Sequence, residues 1–191
     1  MGKMIREISA GGVVLREIEG AWHVALIEPQ KTEPQKIEPQ KGDSPAADAA
    51  VKTPRKRARA VLCLPKGLVD AGEKAAAAAV REVFEETGIV AEAVTKLVDI
   101  RYVYVRTWGD GERVFKIVSF YLMKYVAGEI GEIREEMRIE VKRAVWVPLA
   151  EATKQMAYSG EKKVVAQGRE HVKEYGLAAK ERAAPPGKSG V

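Results

Sequence analysis

Only one cysteine and two histidines occur among the 191 residues, and each scarcity closes off a class of protein. With Cys63 alone no internal disulfide can form, so the fold must stand on its core, and a reducing compartment is the natural setting. His23 and His171 are isolated and lack metal-ligand spacing, which marks both as structural or surface residues. No apolar run approaches the roughly 18 residues of a membrane-spanning helix, and the opening MGKMIREISAGG has no signal-peptide core. The expectation is a cytoplasmic protein without a membrane partner. Nor is the chain poor in core formers: 46% hydrophobic and 31% charged residues are globular values. Its length suits one domain with appendages rather than two domains. A net charge of +5 is compatible with polyanionic ligands and equally with plain solubility. No appended DNA-binding pattern is present, so no nucleic-acid partner is expected.

Along the chain, residues 5–15 and 22–27 are apolar runs separated by the polar REIEG, which reads as a strand pair. At Glu28 the composition changes. EPQK recurs three times, with Pro29, Pro34 and Pro39 five residues apart, and GDSPAADAAVKTPRKRARA follows without apolar periodicity. Proline removes amide donors and fixes φ, opposing helix and central strand alike. Residues 29–59 are therefore expected to be a solvated insert within a single domain spanning 1–175, with 176–191 as a frayed tail. Beyond the insert, 60–64 reads as a short buried strand. A helix is expected over 73–87, with Asp70 and Glu73 at capping-box spacing, an alanine run at 75–79 and a stop at Gly88. Residues 93–106 and 114–127 flank Trp108-Gly109-Asp110-Gly111 as a hairpin. One more strand is expected at 144–147, then helical spacing over 149–175, broken at Ser159-Gly160. The pattern is α/β or α+β.

On the 73–87 helix, Glu82, Glu85 and Glu86 stand at i, i+3 and i+4, so three carboxylates share one face. Like charges so placed repel, and a divalent ion is the partner that relieves them; hard oxygen donors favour Mg2+, with Mn2+ possible. The opposite face, Ala76, Val80, Val83 and Thr87, is expected to pack on the sheet, leaving the acidic face open. A bare E-x-x-E-E is ordinarily a solvated helix face, so its companions carry the weight. Arg81, four residues before Glu85, is placed to hold a carboxylate. Gly67 is expected at a tight turn. Glu73 reads as a cap.

Gly67, Glu73, Arg81, Glu82, Val83, Glu85, Glu86, Gly88 and Ile89 fill every defined position of G-x5-E-x7-R-E-U-x-E-E-x-G-U, with U aliphatic. The chain thereby resembles the Nudix hydrolases. The resemblance implies an α/β/α sandwich with a mixed β-sheet between helices, and hydrolysis of a diphosphate bond in a nucleoside diphosphate-linked substrate. It also implies that Glu85, Glu86 and the Gly67 carbonyl are metal ligands, that Glu82 is a further ligand or the base, and that Glu73 supports the site. Some members use a base outside the box. The candidates here are Glu135, Glu136 and Glu140, with Glu140 favoured because it directly precedes the strand bearing Trp146. Each is equally well read as an exposed carboxylate.

Substrate choice is written outside the box. Leu64-Pro65-Lys66-Gly67 resembles the opening found in diadenosine and diphosphoinositol polyphosphate hydrolases, which would turn Lys66 toward phosphate; otherwise it is a surface lysine. Tyr102 and Tyr104 lie where dinucleoside polyphosphate hydrolases place a tyrosine, and no proline occurs between Pro65 and Pro148, whereas ADP-ribose hydrolases tend to have one in that region. Both tyrosines are candidates for stacking on a base, or else packing residues. Lys116 is a phosphate contact or a solvent-facing strand lysine. Leu62 stands where members of that subgroup often carry tryptophan. The basic cluster Arg55, Lys56, Arg57 and Arg59 reads as a solvated loop or as a polyphosphate attractor. The leading expectation is a magnesium-dependent hydrolase of a dinucleoside polyphosphate such as diadenosine tetraphosphate. The alternatives are a pyrophosphatase of ordinary or oxidised nucleoside triphosphates, an ADP-ribose or diphosphoinositol polyphosphate hydrolase, and a non-catalytic ligand-binding module.

Overall fold

A computed structural model describes residues 4–30, 36–38, 61–106 and 111–177. β1 (Ile5–Ile18) and β2 (Ala21–Pro29) form the expected antiparallel pair, turned at Glu19 and Gly20, both with positive φ. β5 (Val90–Val105) and β6 (Arg113–Ala127) form the second hairpin, paired from Val90↔Ala127 to Val105↔Arg113. The turn residues 107–110, the basic cluster at 55–59 and the tail from 178 onward lie outside the described residues. β1 runs parallel to β6 over eleven residues, from Ile5↔Val114 to Leu15↔Lys124, and this pairing makes the sheet mixed. On its other side β1 pairs first with β4 (Lys66–Leu68) and then with β2, which in turn pairs with β7 (Val141–Pro148).

Helices cover both faces. α1 (Ala75–Thr87) lays Ala78, Ala79 and Val83 on Ala10, Val14, Ala25 and Met123. On the opposite face, Leu149 and Ala152 of α2 (Leu149–Gln155) and Val164, Val165 and Val172 of α3 (Ser159–Tyr175) pack on Val13, Leu15, Val24, Leu26, Val118, Phe120 and Leu122. Val13 and Val14 thus serve opposite clusters, the period-2 alternation of a strand buried on both sides. Each fully buried aliphatic side chain contributes roughly 1.5–3 kcal/mol. The result is the α/β/α sandwich with a mixed sheet.

Several local expectations are corrected. Residues 62 and 63 make isolated bridges, Leu62↔Met156 and Ile27↔Cys63, and the strand falls instead at Lys66–Leu68. The insert is not wholly a loop: β3 (Lys36–Glu38) pairs with the edge of β5, Ile37 opposite Tyr104. Ile37 is the sole aliphatic residue of the three repeats, and a sheet edge is where a short strand in a proline-rich sequence can pair. A 3-10 turn, Glu135–Ile139, precedes β7. The C-terminal helical region breaks at 156–158, before Ser159: the Ala157 N–H donates to the Leu62 carbonyl at 3.0 Å, and Met156 takes extended backbone. Pairing with the 62–63 segment outcompetes continued helix. Leu177, in the expected tail, packs against the α3 face of the core.

α1 begins two residues later than its sequence suggests. Its N-cap is Lys74, without a side-chain cap. Asp70 and Glu73 instead close the loop before it, Glu73 N–H to Asp70 O at 3.0 Å and Asp70 N–H to Glu73 Oε2 at 3.1 Å. At the other end Gly88 (φ 79°) stops the helix as expected, its N–H bonded to the Phe84 carbonyl.

Candidate active site

The helix period places Glu82, Glu85 and Glu86 together, but the face they form is not open. Glu82 and Glu86 are 7% and 6% exposed, and only Glu85 is half-exposed. The packing face is Ala78, Ala79, Val83 and Thr87, with Ala75 and Val80 at its margin and Ala76 outside it. The helix is thus turned so that two glutamates point inward against β4. Gly67 explains how they fit. It lies in a strand, opposite Ala10 and without positive φ, rather than at a tight turn. A Cβ built on it would stand 2.0 Å from Glu82 Oε2. Glycine here makes room for a carboxylate.

Arg81 gathers the remaining acids. Its guanidinium donates to Glu73 Oε1 and Oε2 (3.1 and 2.9 Å), to Glu82 Oε1 (2.8 Å), to Glu85 Oε2 (2.9 Å) and to the Leu68 carbonyl (2.9 Å). The geometry is that of a planar fork matched to carboxylates. This contact lowers the Glu73 carboxyl from its ordinary range. Burial raises Glu82 despite Arg81. Glu86 is not forked by Arg81: it accepts the Lys66 N–H at 2.7 Å, and burial pushes its carboxyl up to about 8 against the pull of the Lys66 charge and amide, with Glu82 and Glu140 adding to the rise. Of Glu135, Glu136 and Glu140, all exposed, Glu140 is the one whose charge counts among the main influences on both buried glutamates.

Lys66 projects to the other side of β4. Its ammonium stands 3.3 Å from Glu161 Oε1, and the second oxygen of Glu161 accepts the Leu64 N–H at 2.8 Å. Against the cost of burial, Glu161 holds the lysine above its usual range. Glu161 was not legible in the sequence: it reads as one more first-turn acid of a helix, yet it is 5% exposed. Burial also takes the Cys63 thiol up to about 12, which leaves it inert at neutral pH.

Tyr102 and Tyr104 share a face, ring centroids 6.2 Å apart, but only one is accessible. Tyr104 is 3% exposed and donates its hydroxyl to Glu7 Oε2 at 2.9 Å, so it cannot stack on a ligand. Glu7, the second residue the sequence did not single out, also pairs with Arg106 (2.8 Å) and Lys116 (3.6 Å). Lys116 is therefore a partly buried, paired lysine rather than a solvent-facing one, and burial lowers it. Tyr102 is half-buried, and burial pushes its hydroxyl up to about 12, with Lys66 and Glu161 nearby. We expect Tyr104→Phe to lower stability by about 1 kcal/mol through the lost hydrogen bond, with kcat/KM within twofold of wild type. A denaturant titration with parallel kinetics checks both.

The side-chain donors that α1 brings together are all oxygen, Glu82, Glu85 and Glu86, beside Gly67 of β4. That set suits a hard divalent cation. Among the described residues no three His, Cys, Asp or Glu side chains already converge as a metal cage. Arg81 holds two of the three glutamates, while Glu86 turns to the Lys66 amide. No helix among the described residues is long and apolar enough to cross a membrane.

Residues 47–168 match the NUDIX domain family. A protein of Mycobacterium tuberculosis (strain CDC 1551 / Oshkosh), named as a mutator protein, MutT4, is 34% identical over 162 residues, covering 85% of this chain and 54% of its own length. The chain thus spans about half the length of that curated relative. Among solved structures, a Caenorhabditis elegans Ap4A hydrolase in binary complex aligns with TM-score 0.59 at 20% identity, over 88% of this chain and 99% of that one. The NUDIX domain of Shewanella oneidensis NrtR, in complex with ADP ribose, aligns with TM-score 0.52 at 16% identity, over 90% of each chain. These two likenesses speak for the fold. Families of this kind generally use divalent metals, which agrees with the oxygen donors on α1. With every defined box position filled and the family match spanning more than half of its residues, the chain belongs to the Nudix hydrolase family.

Proposed function

We propose that this chain is a divalent-metal-dependent pyrophosphohydrolase, using Mg2+ or Mn2+, that cleaves a phosphoric anhydride bond in a dinucleoside polyphosphate such as diadenosine tetraphosphate. The observation that carries the reading is the pair of buried glutamates on α1: Glu82 against a strand glycine whose missing Cβ leaves room for its carboxylate, and Glu86 on the neighbouring Lys66 amide. Burying two carboxylates is costly even with Arg81 on one of them, and it persists where function needs it. In this reading Glu82, Glu85, Glu86 and the Gly67 carbonyl hold the ion, and Arg81, anchored by Glu73, orients Glu82 and Glu85. When bound, the ion neutralises phosphate oxygens and acidifies water. A water oxygen attacks phosphorus in line, the bridging P–O bond breaks, the leaving phosphate departs with the electron pair, and the water proton passes to a carboxylate.

Glu140 is the proposed acceptor of that proton, because it is exposed yet close enough to bear on both buried glutamates. Lys66 contributes positive charge toward the polyphosphate, and Tyr102, half-buried and within reach of the Lys66 charge, is the aromatic proposed to meet a base. Glu140→Gln is expected to lower kcat by about 10²–10⁴-fold with KM within a few-fold. Steady-state kinetics that left kcat near wild type would return the role to Glu82.

A second reading is favoured by the sequence relative named as a mutator protein: pyrophosphate release from nucleoside triphosphates, oxidised ones included. A panel separates the two. Diadenosine polyphosphates, 8-oxo-dGTP and ADP-ribose are incubated with Mg2+, with product release followed by chromatography. Diadenosine tetraphosphate is expected to give the highest kcat/KM; a tenfold preference for the triphosphate would establish the second reading, and turnover of none would favour a ligand-binding module.

A further inference from the structure

Glu161 has no counterpart in the box, comes from the C-terminal helix, and is among the most buried charged residues of those described, at 5% exposure. Its two oxygens have separate tasks. Oε2 accepts the Leu64 N–H at 2.8 Å, and Oε1 faces the Lys66 ammonium at 3.3 Å. The lysine adds a long bond to the Leu64 carbonyl, 3.4 Å, so its ammonium is fixed from both sides. Lys66 meanwhile gives its own N–H to Glu86. One carboxylate, 97 residues away in sequence, thus clamps both the backbone and the side chain of the segment that delivers Lys66 and Gly67. A buried charge is retained at such cost where it fixes a geometry, and a lysine on four rotatable carbons is a poor point charge unless it is held.

We infer that Glu161 is a positioning residue for polyphosphate hydrolysis: it holds the Lys66 ammonium in the orientation that meets substrate phosphate, and so makes α3 part of the site. The inference rests on the hydrolase reading for its kinetic consequence, and on the ion pair alone for its structural one. Glu161→Gln separates the two tasks, because the amide oxygen still accepts the Leu64 N–H while the charge is lost.

The experiment is a double-mutant cycle of Glu161→Gln and Lys66→Met on diadenosine tetraphosphate with Mg2+, alongside NMR of the lysine ammonium groups in the full chain carrying 15N-lysine. Glu161→Gln is expected to reduce kcat/KM by about ten- to a hundredfold with unfolding midpoint nearly unchanged, and to add less than twofold in the Lys66→Met background. The slowly exchanging ammonium signal that Lys66→Met removes should disappear in Glu161→Gln as well. Wild-type kinetics in Glu161→Gln would overturn the inference, as would a full effect of Glu161→Gln in the Lys66→Met background. If wild type turns over no polyphosphate, the hydrolase reading fails by itself. The ammonium signal then decides the clamp: its loss in Glu161→Gln supports the pairing, and its persistence refutes it.

Discussion

Glu86→Gln is expected to abolish turnover while making the metal-free protein more stable. The two effects have one cause. Glu86 is 6% exposed, accepts a hydrogen bond from the Lys66 amide, and burial pushes its carboxyl up to about 8. Between pH 4.5 and about 8 the folded form keeps a proton that the unfolded form has lost. Stability therefore falls as pH rises through that window, and the full penalty is present above it. At about 1.4 kcal/mol per unit, the penalty is on the order of a few kcal/mol. Glutamine keeps an acceptor for the Lys66 amide and carries no such penalty. Melting curves in chelator should place the variant above wild type, by a margin that grows from pH 6 to pH 9; a margin constant with pH would contradict the burial argument. The loss of activity is the larger effect. Removing one oxygen ligand from a metal that supplies several kcal/mol of charge stabilisation should lower kcat by about a thousandfold or more.

Gly67→Ala is the second large effect, and it distinguishes this site from an ordinary glycine turn. At a tight turn with positive φ, alanine would strain the backbone and destabilise the fold. Gly67 has no such φ, and the added methyl would instead press on the Glu82 carboxylate, 2.0 Å from Oε2. That carboxylate is the end of a side chain pinned by Arg81 at 2.8 Å, so it must move and break the pairing. Stability should fall by about 1–3 kcal/mol, the usual cost of overpacking. Activity should fall by more than two orders of magnitude, because misplacing a reacting group by about 1 Å costs that much. Chemical denaturation with parallel kinetics tests both. A variant that loses stability in proportion to activity would point to a backbone role instead.

The parts of the fold with strong local signals were legible. The 5–15 and 22–27 strands, the hairpin flanking residues 107–110, the α1 helix with its stop at Gly88, and the grouping of Glu82, Glu85 and Glu86 follow from periodicity and turn chemistry, and all are present. What failed was information carried by partners distant in sequence. Which way α1 is rolled depends on Gly67 and β4, so a face read as open turned out to bury two of its three acids. Pairing of Ala157 with Leu62 shifted the helix break to 156–158. Tyr104 was a reasonable stacking candidate until Glu7, 97 residues away, claimed its hydroxyl. Glu161 and Glu7 gave no signal because a lone acid in a polar context looks solvated; only their contacts with Lys66, Arg106 and Lys116 show otherwise. A strand among proline repeats was masked by composition, with Ile37 the one apolar residue to suggest it.

On the proposed reading, the inward carboxylates of α1 hold the divalent ion on which hydrolysis depends. The most direct test follows product release from diadenosine tetraphosphate across a Mg2+ titration, for wild type and Glu86→Gln, with folding of both confirmed by their melting curves. Saturable, chelator-abolished turnover is expected in wild type, and a loss of about a thousandfold or more in the variant at every metal concentration. Turnover that persists in chelator, or a folded Glu86→Gln protein within a few-fold of wild type, would contradict it.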